Sequence, residues 1–245
     1  VPTAVLVGIA LGNNTSDAGF TVTATYGGTA MTSLAKVHAN NGVNGFIQVF
    51  GLAGPLSGPQ AVAASVAGGT PGSLCGGSLA YLGTGLTGAT AFGTPGTAFS
   101  SGNAATGSVG ITGTGASNMV AAFAADGSGG ESVTSGGLRY LNDQTSSAGG
   151  GAGNTFAADK VSAGSGTVSV TWSQTSDWWG AAAVELLFAA GTSVTPSAAT
   201  GAGGAPGATT IPGTFSSGPN YPAVATDLGG GTGFWQNPFL AQGPP

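Results

Sequence analysis

The 245-residue chain holds few groups that can do chemistry: one histidine, one cysteine, three cations and eight carboxylates. His38 is the only imidazole, so any Ser–His–Asp arrangement would have to be built on it. No Gly-x-Ser-x-Gly elbow lies between a clear strand and a helix to supply the nucleophile. His38, close to Asn40-Asn41, reads instead as a residue at the end of a strand. One histidine and Cys75 cannot furnish the three or four ligands of a zinc centre. Cys75 has no second cysteine to pair with and reads as a small buried hydrophobe.

Asp126, Glu131, Asp143 and Asp159 fall in or near loops, where carboxylates and carbonyls can surround calcium. They lack the spaced Asp-x-Asp pattern of a dedicated calcium loop. A glycosidase pair drawn from Glu131 with Asp143 or Glu185 has no spacing in its favour. The glycine-rich stretches lack the lysine that follows in a phosphate-binding loop. The expectation is a protein with no catalytic residue, no metal and no cofactor.

Tryptophan offers a different chemistry, stacking on pyranose rings. Trp172, Trp178 and Trp179 lie close together. Counted by alternation, Trp172 and Trp178 share the core parity, whereas Trp179 falls on the other face. Trp179 is therefore the candidate glycan contact.

The elements that must position these residues are strands. In Phe20-Thr21-Val22-Thr23-Ala24-Thr25-Tyr26 every even position is apolar and every odd one is threonine. Thr167-Val168-Ser169-Val170-Thr171-Trp172-Ser173 alternates as strictly. A period of two puts one set of side chains in a core and the other, hydroxylated set toward water; a helix would scatter both around its cylinder. Val5, Val7, Ile9 and Leu11 mark another strand, as do Val62, Ala64 and Val66, then Val109 with Ile111, then Met119, Ala121 and Phe123. Phe46 to Leu52 is apolar on both faces and reads as a central strand. Trp179 to Leu187 has helix-forming alanines, but Trp178, Ala182, Val184, Leu186 and Phe188 fall on one parity, and the stretch reads as a closing core strand. Gly27-Gly28, Asn40-Asn41-Gly42, Gly68-Gly69, Gly76-Gly77 and Asp126 to Gly130 are the turns. About ten or more strands at this spacing predict an all-β jelly-roll or Greek-key sandwich over residues 1–190.

Residues 191–245 change character. Eight of the 13 prolines fall there and alternation is lost. Proline fixes φ and removes a donor, so this stretch reads as an extended arm or linker and not as a further sheet. Phe215, Tyr221, Phe234, Trp235 and Phe239 punctuate it. A spacer has no use for aromatics; an arm that docks along another surface does.

Charge narrows the function classes. Only 4% of residues are charged, against about 25% in an ordinary soluble domain. Lys36, Arg139 and Lys160 are too few and too scattered to neutralise a nucleic-acid backbone. No run of 18 apolar residues predicts a membrane-spanning helix. Eleven Phe, four Trp and four Tyr argue against a disordered chain. A surface of Ser, Thr, Asn, Gly and Ala suits a packed assembly, an extracellular particle or a cell-surface layer.

The segment Val22-Thr23-Ala24-Thr25-Tyr26-Gly27-Gly28-Thr29-Ala30-Met31-Thr32 belongs to a recognisable series. With it go Phe50-Gly51-Leu52-Ala53-Gly54-Pro55, Val170-Thr171-Trp172-Ser173 and Trp178-Trp179-Gly180-Ala181-Ala182-Ala183-Val184-Glu185-Leu186. In this order they resemble the jelly-roll, lectin-like β-sandwich domains of phage tail and virion-surface proteins and of secreted bacterial proteins. The resemblance implies the fold over about the first 190 residues and transfers no catalytic residue. The resulting expectation is a non-enzymatic virion-surface component, a capsid decoration (cement) protein or tail-fibre part. It would be a homo-oligomer, or bound to other virion subunits, through its C-terminal arm. The alternative is a secreted, extracellular carbohydrate-binding module or adhesin.

Overall fold

A computed structural model of the chain describes residues 4–12, 16–39, 45–54, 60–82, 89–112, 114–116, 118–142, 154–164 and 166–187, with the backbone of 195–198, 213–214 and 226–227. It is an all-β sandwich built of several antiparallel sheets, and no α-helix forms among the described residues.

The strands fall into two halves of the same design. The first comprises β1 (Ala4–Gly12), β2 (Thr21–Tyr26), β3 (Thr29–Ala30), β4 (Thr32–His38), β5 (Gly45–Ala53), β6 (Ala61–Ala67) and β7 (Ser73–Leu82). One sheet runs β7-β1-β5-β4, and β6-β2-β3 forms a second. A 3-10 turn at Ala89–Ala91 leads to β8 (Gly96–Phe99) and β9 (Ala104–Thr112). The second half follows: β10 (Met119–Asp126), β11 (Ser132–Ser135), β12 (Gly137–Asn142), β13 (Asn154–Val161), β14 (Thr167–Asp177) and β15 (Trp179–Leu186). Its large sheet runs β8-β15-β10-β13-β12 and its small one β9-β14-β11. Position for position, β15, β10, β13 and β12 repeat β7, β1, β5 and β4, while β14 and β11 repeat β6 and β2.

The two large sheets pack back to back, which buries β1, β10 and β15 at every position. Small residues make this close approach possible. A Cβ on Gly8 would lie 2.4 Å from the Phe123 ring, and one on Gly77 2.4 Å from the Tyr140 ring. The other face of β1, with Val5, Val7, Ile9 and Leu11, shares a core with Val22, Ala24 and Tyr26 of β2 and Val62, Ala64 and Val66 of β6. A separate core between the second half's sheets holds Val109, Ile111, Phe156, Val168, Val170, Trp172 and Trp179.

The alternating segments behave as their period requires. Along β2 the threonines at 21 and 23 are exposed while Val22, Ala24 and Tyr26 are buried. The Trp179–Leu187 stretch is a strand from Trp179 to Leu186 despite its alanine content. Cys75 is fully buried on β7.

In the C-terminal stretch, β16 (Thr195–Ala198), β17 (Gly213–Thr214) and β18 (Thr226–Asp227) form no sheet of their own. β16 and β18 pair with β7, and β17 with β6. Pro196 is tolerated because β16 adds at the end of its sheet. Phe215, Tyr221, Phe234, Trp235 and Phe239 lie outside the described residues.

Candidate functional site

The tryptophans sit differently from their parity. Trp179 is 7% exposed and buried in the second core, whereas Trp178 is half-buried. This corrects the expectation that Trp179 stands out as a stacking face. The physical reason is that β15 is buried on both faces, with Ala182, Val184 and Leu186 toward one core and Trp179, Ala181 and Ala183 toward the other; before it, the pairing of β14 with β9 shifts register between Ser173 and Asp177. Trp178 then lies between strands, its N–H donating to Asp177 Oδ1 at 2.7 Å. Counting by twos separates the two faces of β15 but does not tell that both are covered.

Trp172 and Trp179 meet edge to face at 5.0 Å, and Phe156 meets Trp172 likewise at 5.2 Å. Both indole N–H groups are used internally. Trp172 Nε1 donates to Gln174 Oε1 at 2.7 Å, and Trp179 Nε1 to the Thr106 carbonyl at 3.2 Å. Gly107, opposite Trp172 on β9, leaves room for the ring; a Cβ there would be 2.0 Å from it. Over this cluster lies an open groove of about 470 Å³, bordered by Thr106, Ser108, Thr171 and Ser173 together with the two tryptophans. Thr134 also borders it, its Oγ1 2.8 Å from Thr171 Oγ1, so two hydroxyls of this row are joined. Such a row can exchange hydrogen bonds with a polar, uncharged ligand.

Asp17, Asp126, Asp159 and Glu185 are occupied in holding the fold. Asp17 is fully buried; its Oδ2 accepts from Gly45 N at 2.8 Å and lies 2.8 Å from His38 Nδ1. His38 is thus at the end of β4, with a partner 21 positions away that no local pattern advertises. Asp126 Oδ1 accepts from the N–H groups of Ser128 and Gly129, closing the turn after β10. Glu185 Oε1 accepts from Asn118 Nδ2 at 2.7 Å and Gly115 N at 2.9 Å. Asp143 lies outside the described residues, and Glu131 is buried. Among the described residues no three His, Cys, Asp or Glu side chains gather to hold a metal.

Asp159 forms the most developed polar cluster. Arg139 Nε donates to its Oδ1 at 2.8 Å with Nη2 at 2.7 Å, and Tyr81 OH donates to Oδ2 at 3.3 Å. Burial pushes the Asp159 carboxyl above its ordinary value, with Arg139 and Tyr81 opposing. Burial, then the charge of Asp159, holds the Tyr81 phenol well above the usual range. Tyr81 stands on β7 and Asp159 on β13, so the cluster ties the two halves together. Its sequence signal is Arg139 between Leu138 and Tyr140, and the Asp159-Lys160 pair following Phe156-Ala157-Ala158. Lys36 Nζ lies 3.7 Å over the Phe46 ring. Burial lowers this ammonium's pKa, and Asp17 opposes the shift.

Compared with known proteins, the chain matches no family model, no curated protein and no solved structure. No helix among the described residues is long and apolar enough to cross a membrane.

Proposed function

We propose that this chain is a non-enzymatic structural component of a virion surface, a capsid decoration protein or tail-fibre part, that assembles through its C-terminal arm. The observation that carries the reading is how the few charges are used. Asp17, Asp126, Asp159 and Glu185 are buried and engaged with backbone or neighbouring side chains. The outward strand faces are left to threonine and serine. A surface with so little charge is poorly protected against association in free solution, and suits one covered by copies or partners. The resemblance to jelly-roll domains of virion-surface proteins agrees with this. Deleting residues 192–245 tests it: a folded body that no longer assembles supports the reading, and unimpaired assembly contradicts it.

The groove favours a second reading, a secreted carbohydrate-binding module. A sugar would be held by the hydroxyl row, since the tryptophan rings lie in the core. Titration with saccharides should then perturb tryptophan fluorescence, and Thr171→Val with Ser173→Val should abolish the response while leaving stability nearly unchanged. A flat glycan array would remove this alternative.

A further inference from the structure

The two halves are completed at the same place by different parts of the chain. In the second half, β8 closes the edge of β15, from Gly180 opposite Phe99 to Ala183 opposite Gly96, and β9 lies along β14. In the first half the equivalent edges belong to β7 and β6. They are met by β16, with Thr195 opposite Leu82 through Ala198 opposite Leu79, and by β17, with Gly213 opposite Val62. One completing pair stands directly before its half. The other is separated from its half by the whole of the second half.

The amino-acid sequence carries a trace of the same relation. Pro212-Gly213-Thr214-Phe215-Ser216-Ser217-Gly218 repeats Pro95-Gly96-Thr97-Ala98-Phe99-Ser100-Ser101-Gly102 with only Ala98 missing. The likeness links β17 to β8, one strand out of step with the topology. The equivalence therefore holds for the strand pair as a unit and not strand for strand.

A seat of this kind is specified by main-chain hydrogen bonds, because an open strand edge presents a row of N–H and C=O groups to any strand that fits. Thr195-Pro196-Ser197-Ala198 bears no charge, and neither does Leu79-Ala80-Tyr81-Leu82. Nothing in such a pairing separates a chain's own segment from that of a neighbour. The intramolecular partner has only its effective concentration in its favour, of order mM even for a short tether and lower for a long one. Copies crowded on a particle can match that.

Resting on the reading of the C-terminal segment as an assembly arm, we propose that the β7–β6 edge is a strand-acceptor seat. β16 and β17 of a second copy fill it, joining copies head to tail. Donor and acceptor surfaces differ, so the contact is heterologous and propagates into a ring or a chain of subunits.

The test uses full-length chains in a Cys75→Ala background. Ser197 and Ala80 are directly opposed, a spacing within reach of a disulfide. One chain carries Ala80→Cys and the other Ser197→Cys; they are mixed at high concentration, oxidised gently and run on a non-reducing gel. Tryptophan emission checks that each variant is folded. A mixed disulfide dimer, well above the level in either chain alone, is the expected result. If the chain carrying both substitutions closes only on itself and the mixture gives no dimer, the arm serves its own body and exchange is overturned. If neither bond forms, the seat itself is wrong. Loss of assembly on deleting 192–245 without a mixed disulfide would sink this proposal while leaving the assembly reading intact. A mixed disulfide with assembly indifferent to the deletion would do the reverse.

Discussion

The two halves share a strand order but not a filling. In the first, Val5, Val7, Ile9 and Leu11 of β1 pack with Tyr26 of β2, valines of β2 and β6, and Phe46 and Phe50 of β5. In the second, two tryptophans and a phenylalanine occupy the corresponding space, with alanines at 122, 124, 158, 181 and 183 around them. The same topology therefore accepts a core centred on paired tryptophans or one without tryptophan. What the halves hold in common is the period of two and the placement of turns, which fix which face each residue sees. What they do not share is how an edge is closed, by an adjacent segment in one half and a distant one in the other.

Substitutions can sharpen that contrast. The largest effect should come from Trp172→Ala, which removes the centre of the aromatic core and should cost about 3–5 kcal/mol. Ile9→Ala in the first half's core should cost less, toward the low end of about 2–5 kcal/mol, since a smaller volume is removed. Chemical denaturation of the two variants gives the ranking; equal losses would mean that the cores are not differently built. At the junction of the halves, Gly8→Ala drives a methyl into Phe123 and should cost about 1–3 kcal/mol by overpacking. A variant as stable as the parent would show that the large sheets are not in close contact.

The junction also has a pH signature. Asp159 is harder to ionise in the folded chain than its ordinary 3.8, so the folded state binds this proton more tightly than the unfolded one does. Its contribution is complete below that ordinary value and is lost as pH rises through the folded value. Asp159→Asn should flatten the fall in stability over that window; an unchanged slope would assign it to other carboxylates. The smallest effect is expected from Trp178→Ala, within about 0.5 kcal/mol, because the side chain lies outside both strands and is half-buried. A loss as large as that of Trp172 would restore Trp178 to the core.

Strands with strict alternation were legible in the amino-acid sequence because burial on one face leaves a binary record. Val22 to Tyr26 and Val168 to Trp172 behave as written. Strands buried on both faces, such as β10 and β13, leave a weaker record, and their back-to-back packing depends on glycines whose partners come from the other half. The burial of Trp179 was misread because nothing in the residue types of β15 tells that both of its faces are covered. The clusters of Asp17 with His38 and of Arg139 with Asp159 and Tyr81 join residues brought together only by the fold. The groove is likewise assembled from β9, β14 and β15, and no single segment announces it.

The claim on which the account turns is that the C-terminal segment seals the first half at β7 as β8 seals the second at β15. Hydrogen exchange of the backbone amides, measured on the full chain and on residues 1–190, tests it with an internal control. Truncation should speed exchange at Leu79 to Leu82 and leave Gly180 to Ala183 unchanged. Equal protection of Leu79 to Leu82 in both chains would contradict it.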